Sequence, residues 1–197
     1  MGDTDYIGGR SEAIAFTRLA ATCRPNSKLP YFWPHFLGEK YETFDYLVEL
    51  VDAGDRTPFF FVQVKGTRQE YTKREKRLDV KVSTKDVLRM VSFPAPTYVV
   101  GVHEIEERAF ILSVHGLMNE AISSITTGHE LTADTLRHLW EEVREFWHGR
   151  DLYFRRFLAA HAAIVPQDFR VSTICCNSAR SAELVLNAVS RVALRRT

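Results

Sequence analysis

The sequence predicts an α/β or α+β fold, with one mixed sheet flanked by helices in the order helix, two or three strands, helix, strand, strand. Three observations predict it. Asp45-Tyr46-Leu47-Val48-Glu49 and Phe61-Val62-Gln63-Val64-Lys65 are short runs rich in β-branched and aromatic residues, with the turn residues Asp52-Ala53-Gly54-Asp55-Arg56 between them. Thr97-Tyr98-Val99-Val100-Gly101-Val102 is almost wholly apolar, as a strand covered on both faces must be. Helical apolar spacing precedes and follows this strand-rich middle.

The first helix is expected over roughly Gly9 to Cys23. Phe16 and Leu19 fall four and seven residues after Glu12, which places that carboxylate on the inward stripe. Arg24 to Tyr41, rich in Pro and aromatics and without periodicity, reads as a loop. The hairpin follows. Centred on Gly54, it sets residues whose numbers sum to 108 face to face, so that Asp45 lies opposite Gln63 and Lys65 lies two residues on, on the same side. A carboxylate, an amide and an ammonium thus meet on a hydrophobic sheet, an arrangement whose burial costs on the order of several kcal/mol unless metal binding or catalysis offsets it.

Leu78 to Val82 alternates as a further short strand, and Ser83 or Thr84 caps a helix carrying Val87, Leu88 and Val91. Phe93-Pro94-Ala95-Pro96 ends that helix, and after the 97–102 strand Ala109 to Val114 supplies another. From Thr132 the pattern is helical, with Leu136, Leu139, Trp140, Val143, Phe146 and Trp147 on one stripe; further helices are expected over Asp151 to Ile164 and Ser181 to Leu194. The expected organisation is a core over residues 1–120 and a helical extension over 121–197 that packs on the core or on a partner. The aromatic stripe serves either to pack the helix on the chain's own sheet or to contact a homodimer copy or a partner protein.

A composition of 45% hydrophobic and 26% charged residues is that of an ordinary globular protein, and no apolar run approaches the roughly 20 residues of a membrane span. Cys23, Cys175 and Cys176 have no metal-ligand spacing and read as reduced thiols. Met1-Gly2-Asp3-Thr4-Asp5 lacks the basic start and apolar stretch of a signal peptide, which makes a cytoplasmic location the expectation. A net charge of +1 argues against a chain that coats nucleic acid by bulk electrostatics. The charge is uneven, however: nine basic residues against four acids lie between Lys65 and Arg89. Within that run Arg68, Lys73, Arg74, Lys76, Arg77 and Lys81 are the candidate contacts to a phosphate backbone.

Ile7-Gly8-Gly9-Arg10-Ser11-Glu12, Asp45-x-x-x-Glu49 and Gln63-Val64-Lys65, in this order, resemble motifs of the PD-(D/E)XK, or restriction-endonuclease-like, nuclease superfamily, in particular a bacterial family of otherwise uncharacterised domains. The resemblance covers about residues 5–120 and implies an αβββαβ core. It implies an endonuclease that hydrolyses phosphodiester bonds in DNA with Mg²⁺ or Mn²⁺, in a setting of defence against foreign DNA. Carried over, Asp45 is the primary metal ligand, the Gln63 side-chain oxygen and the Val64 carbonyl add oxygen ligands, and Glu12 holds metal-bound water or a second ion. Lys65 holds the attacking water and offsets charge on the phosphate, and Glu49 supports the site. Two departures stand out: Gln63 replaces a frequent Glu, removing one negative charge, and Ser11 stands where Gly is usual.

Overall fold

The computed structural model describes residues 3–20, 24, 27–38, 41–54, 57–72, 76–114 and 120–164. The backbone divides into two units, Met1–His148 and Gly149–Thr197; the second is described only as helical backbone to Ile164.

The described residues form an α+β fold with a mixed five-stranded sheet and three α-helices. In order these are α1 (Asp3–Ala20), β1 (Phe32–Phe36), β2 (Tyr46–Leu50), β3 (Phe59–Thr67), β4 (Arg77–Val82), α2 (Thr84–Val91), β5 (Thr97–His103), β6 (Arg108–Val114), β7 (Ile122–Thr126) and α3 (Ala133–Ile164). The sheet order is β1-β2-β3-β5-β6. β1, β2 and β3 form an antiparallel meander, β5 lies parallel to β3, and β6 returns antiparallel to β5. The parallel β3–β5 pair needs a crossover, supplied by β4 and α2.

The hairpin register is the expected one: Tyr46 pairs with Val62, Leu47 with Phe61, Val48 with Phe60 and Glu49 with Phe59. Its turn uses Asp52 at φ 55° and Gly54 at φ 110°, left-handed conformations that Asp tolerates and Gly adopts without penalty. Ser83 caps α2 by accepting the Asp86 N–H, again as expected.

Side chains alternate cleanly across β3. Phe60, Val62 and Val64 join Tyr46, Val100, Val102, Ala109 and Ile111 in one core, closed by Ala15 and Leu19 of α1 and by Leu136, Leu139 and Val143 of α3. Phe61 belongs to the opposite face, where its ring meets Phe44 and Phe93. A separate two-stranded ribbon, β4 with β7, presses on that face at Gly101, where an added Cβ would meet the Leu78 side chain at 2.9 Å and that of Ile125 at 3.1 Å.

Four expectations are corrected. The Arg24 to Tyr41 segment holds β1, an edge strand whose Pro34 hides it from a propensity reading, since Pro is tolerated at a sheet edge. β7 is unexpected because Ile-Ser-Ser-Ile-Thr carries little apolar signal of its own. α1 starts at Asp3 and runs through Gly8 and Gly9, each costing about 1 kcal/mol relative to Ala, and Cys23 lies outside the described residues. α3 is one helix to Ile164, with no break at Gly149-Arg150. The predicted 181–194 helix lies outside the described residues.

The inward stripe of α1 is also rotated by one residue from the expected one. Ser11, Ala15 and Leu19 are buried, whereas Phe16 is largely exposed and Glu12 half-buried. Ser11 is small enough to seat the helix against Gly66 of β3, and that close approach sets the rotation. β7 and the start of α3, which the sequence reading placed in the extension, supply Ile125, Leu136, Leu139 and Val143 to the interior of the first unit. The Trp140 indole donates to the Val51 carbonyl at 3.2 Å and that of Trp147 to the Phe59 carbonyl at 2.7 Å. Both tryptophans therefore anchor α3 on the chain's own hairpin. No helix among the described residues is long and apolar enough to cross a membrane.

Candidate functional site

Asp45 stands immediately before β2, where its backbone is clamped from two sides: its N–H donates to the Val62 carbonyl at 2.9 Å, and its carbonyl accepts the Leu37 N–H at 2.9 Å. One carboxylate oxygen of Asp45 accepts the Val64 N–H at 2.6 Å. The N–H and C=O of a strand residue leave the same edge. The Val64 carbonyl therefore emerges on the Asp45 side, beyond the last β2–β3 pair. The Asp45 N–H reaches the carbonyl of Val62, the residue already paired with Tyr46, so the regular register ends there, and Gln63 is the next residue along β3.

Burial raises the pKa of Asp45 above its ordinary 3.8, a shift partly offset by the Val64 N–H and by the Lys65 ammonium. Glu12 is raised from 4.5, first by burial and then by the Asp45 charge. Tyr46 is pushed up to about 12 by burial and by both carboxylates. It therefore stays a neutral phenol and donates to the Glu12 backbone carbonyl at 3.1 Å, tying α1 to β2 beside the pair. Asp45 is the centre of this group, feeling Glu12 from α1 and Lys65 from β3. Neither the Glu12 carboxylate nor the Lys65 ammonium has a hydrogen-bond partner among the described residues.

Gln63 is 4% exposed, and its Oε1 has no hydrogen-bond partner among the described residues. Leaving a buried acceptor unmet costs about 1–3 kcal/mol. That orphaned oxygen tests whether a divalent cation fits. Two carboxylates, an amide oxygen and a backbone carbonyl are hard oxygen donors of the kind Mg²⁺ and Mn²⁺ take. Among the described residues no three His, Cys, Asp or Glu side chains converge, so a cation here has two carboxylates at most, and alternation along β3 puts Gln63 on the Phe61 face, opposite the face on which α1 carries Glu12.

The other predicted residues lie elsewhere. Glu49 sits at the far end of β2, opposite Phe59, with its carboxylate 3.2 Å from His35 Nε2. The four-residue step from Asp45 spans about 13 Å of strand, which removes Glu49 from the group. Arg68 donates to Glu104 at 2.8 Å, and Arg77 binds the Ser124 hydroxyl at 2.8 Å and the Ser124 carbonyl at 3.1 Å. Lys76, at φ 47°, and Lys81 are exposed; Lys73 and Arg74 lie outside the described residues.

Sequence reasoning missed the support beneath Glu12. Glu104, 2% exposed just after β5, accepts Arg68 at 2.8 Å and the Ser11 hydroxyl at 3.3 Å. Ser11 in turn lies against Gly66, where a Cβ would fall 1.9 Å from its Oγ. The one legible signal was a glycine directly after Lys65 inside a strand, a mark of close backbone approach.

The raised carboxylates give a stability prediction with a definite sign. A carboxyl whose folded pKa is raised contributes stability below its unfolded value, and that contribution is lost as pH rises through the folded value. Asp45→Asn, which keeps an acceptor for the Val64 N–H, should therefore melt at a higher temperature than the wild type at neutral pH, and at about the same temperature in acid below 3.8. Each kcal/mol corresponds to about 2–4 °C. Mg²⁺ should raise the melting temperature of the wild type and leave that of Asp45→Asn unmoved. Melting curves from acid to neutral pH, with and without Mg²⁺, check both statements; a variant less stable at neutral pH contradicts the first.

No protein family, curated protein or solved structure matches this chain.

Proposed function

We propose that the chain is a Mg²⁺- or Mn²⁺-dependent endonuclease that hydrolyses phosphodiester bonds in DNA, on a restriction-endonuclease-like αβββαβ core. The observation that carries this reading is the buried, unpartnered Gln63 oxygen, one residue before Val64, whose N–H the Asp45 carboxylate accepts, with Lys65 on the same strand. The element order supports it: α1, β1, β2, β3, α2 and β5 follow the αβββαβ sequence, with β4 inserted before α2. A role in defence against foreign DNA rests on the motif resemblance alone.

In this reading Asp45, Gln63 Oε1, the Val64 carbonyl and Glu12 hold the cation. The cation, when bound, acidifies a water and polarises the phosphate. Lys65 orients the attacking water and places its positive charge beside the phosphate oxygens as negative charge builds on them. Tyr46 fixes Glu12 through its backbone carbonyl and, as a neutral phenol, adds no charge.

Titrating Mg²⁺ or Mn²⁺ against plasmid and linear DNA tests the activity. Cation-dependent cleavage is the expected result. Binding without cleavage at any cation concentration would instead make the chain a DNA-docking subunit, for which the missing third carboxylate would be the cause. DNA binding is tested separately. Reversing the exposed Lys76 and Lys81 to Glu should weaken binding and reduce the log–log salt slope by about 0.9 for each phosphate these lysines neutralise. A slope equal to that of the wild type would make them a solvated surface only.

A further inference from the structure

Beside the carboxylate pair the surface turns aromatic. Phe16 lies one helical turn after Glu12, Tyr46 directly follows Asp45, and Phe36 pairs with Tyr46 across β1 and β2. The Phe36 and Tyr46 rings are 5.6 Å apart and the Phe16 and Tyr46 rings 6.3 Å, centroid to centroid. Tyr46 is buried beneath them, whereas Phe16 is 43% and Phe36 59% exposed. Single exposed phenylalanines are ordinary on protein surfaces. These two are different in sharing one buried ring, and their backbones run into the elements that hold the carboxylates: the Leu37 N–H, next to Phe36, binds the Asp45 carbonyl at 2.9 Å.

We propose that Phe16 and Phe36 form a stacking shelf for a base of single-stranded DNA, so that the candidate site takes an unpaired strand in preference to intact duplex. The inference rests on the nuclease reading for its phosphate end, and on the aromatic geometry for its base end. A nucleotide is charged at one end and a flat π-system at the other. The carboxylates Glu12 and Asp45 lie at one end and the exposed rings at the other, and the divalent cation of the nuclease reading would offset the repulsion between those carboxylates and a phosphate. A peptide ligand for the same rings would have no need of the Glu12–Asp45 pair beside them. Bases in a duplex offer only their edges in the grooves, so a contact with the face of a ring requires an unstacked base.

The test uses the full chain carrying Lys65→Ala, with Mg²⁺ present, so that bound strand is conserved. Oligodeoxynucleotides with one 2-aminopurine are titrated as single strands and as the matching duplex, and read by anisotropy and by quenching of the base analogue. The expected results are tighter binding of the single strand, quenching on binding, and a loss of roughly tenfold in single-strand affinity for Phe16→Ala and for Phe36→Ala. Duplex affinity should hold, and Phe16→Tyr and Phe36→Tyr should retain the quenching, which separates loss of the ring from loss of the fold. Single-strand affinity unchanged in both alanine variants overturns the shelf, as does an equal loss on both substrates. If the wild type cleaves DNA but the shelf variants keep its strand preference, the shelf falls and the nuclease reading stands. If no cation supports cleavage but the alanine variants still lose single strands selectively, the shelf stands and the nuclease reading falls.

Discussion

Lys65→Ala should lower the rate of cation-dependent DNA cleavage by at least about 100-fold, the scale of losing one charge-stabilising donor in a transition state. The affinity for uncleaved DNA should change little, because the lysine acts on charge that develops only during the reaction. The structure gives three reasons for the size of the effect. Lys65 has no hydrogen-bond partner among the described residues that would divert it. It is on β3, a strand held on both sides by β2 and β5, so its backbone is fixed. Its charge is felt by Asp45. No other described lysine acts on that carboxylate, so no neighbour is placed to substitute. Single-turnover cleavage, with binding followed separately by anisotropy, measures the two quantities. Cleavage at the wild-type rate in the variant would end the assignment of Lys65, and a fall in binding in proportion to cleavage would make it a ground-state contact.

Gly66→Ala should be the most disruptive single-methyl change in the candidate site. The new Cβ would lie 1.9 Å from Ser11 Oγ, 2.8 Å from Ser11 Cβ and 3.3 Å from Ile7 Cγ2. Rotating the hydroxyl relieves only the first of these. The Ser11 Cβ contact requires α1 to back away from β3, the Ile7 methyl has only to give slightly, and overpacking of this kind costs about 1–3 kcal/mol. For a chain of this size that lowers the melting temperature by about 2–12 °C. The movement also displaces Glu12, the residue after Ser11, and pulls Ser11 from the buried Glu104 carboxylate. Cation affinity should therefore fall together with stability. Ser11→Gly in the same chain should restore part of both, since it removes the clashing atoms at the cost of about 1 kcal/mol for a helical glycine. A double-mutant cycle read by melting temperature and by Mg²⁺ titration gives the coupling; additive losses would show that the two residues do not meet.

Much of this is legible in the residues themselves. The hairpin register follows from turn chemistry centred on Gly54, which sets the pairing of Tyr46 with Val62; at Asp45, whose N–H also turns to the Val62 carbonyl, that register ends. The Ser83 cap and the doubly covered 97–103 strand also follow from local propensity and from unbroken apolarity. In each case the deciding interactions lie within a few residues or along one strand. Glu12, by contrast, is legible as a candidate but not in its setting. Which stripe of α1 turns inward depends on Gly66, more than fifty positions away in the chain, because only a glycine there admits Ser11 so closely. Glu49, only four residues from Asp45, leaves the group because a strand extends by about 3.3 Å per residue and carries it to the other end of the hairpin. Arg68, one of a run of basic residues in sequence, is bound to a carboxylate thirty-six residues later. Residue order alone was enough for most of the elements and for the pairing of Tyr46 to Glu49 with Val62 to Phe59. It was not enough for the distance of α1 from β3, for which charges are already paired, or for the placing of the Phe16 and Phe36 rings beside the carboxylates. Each of these depends on contacts between segments far apart in the chain, which local propensity and periodicity do not encode.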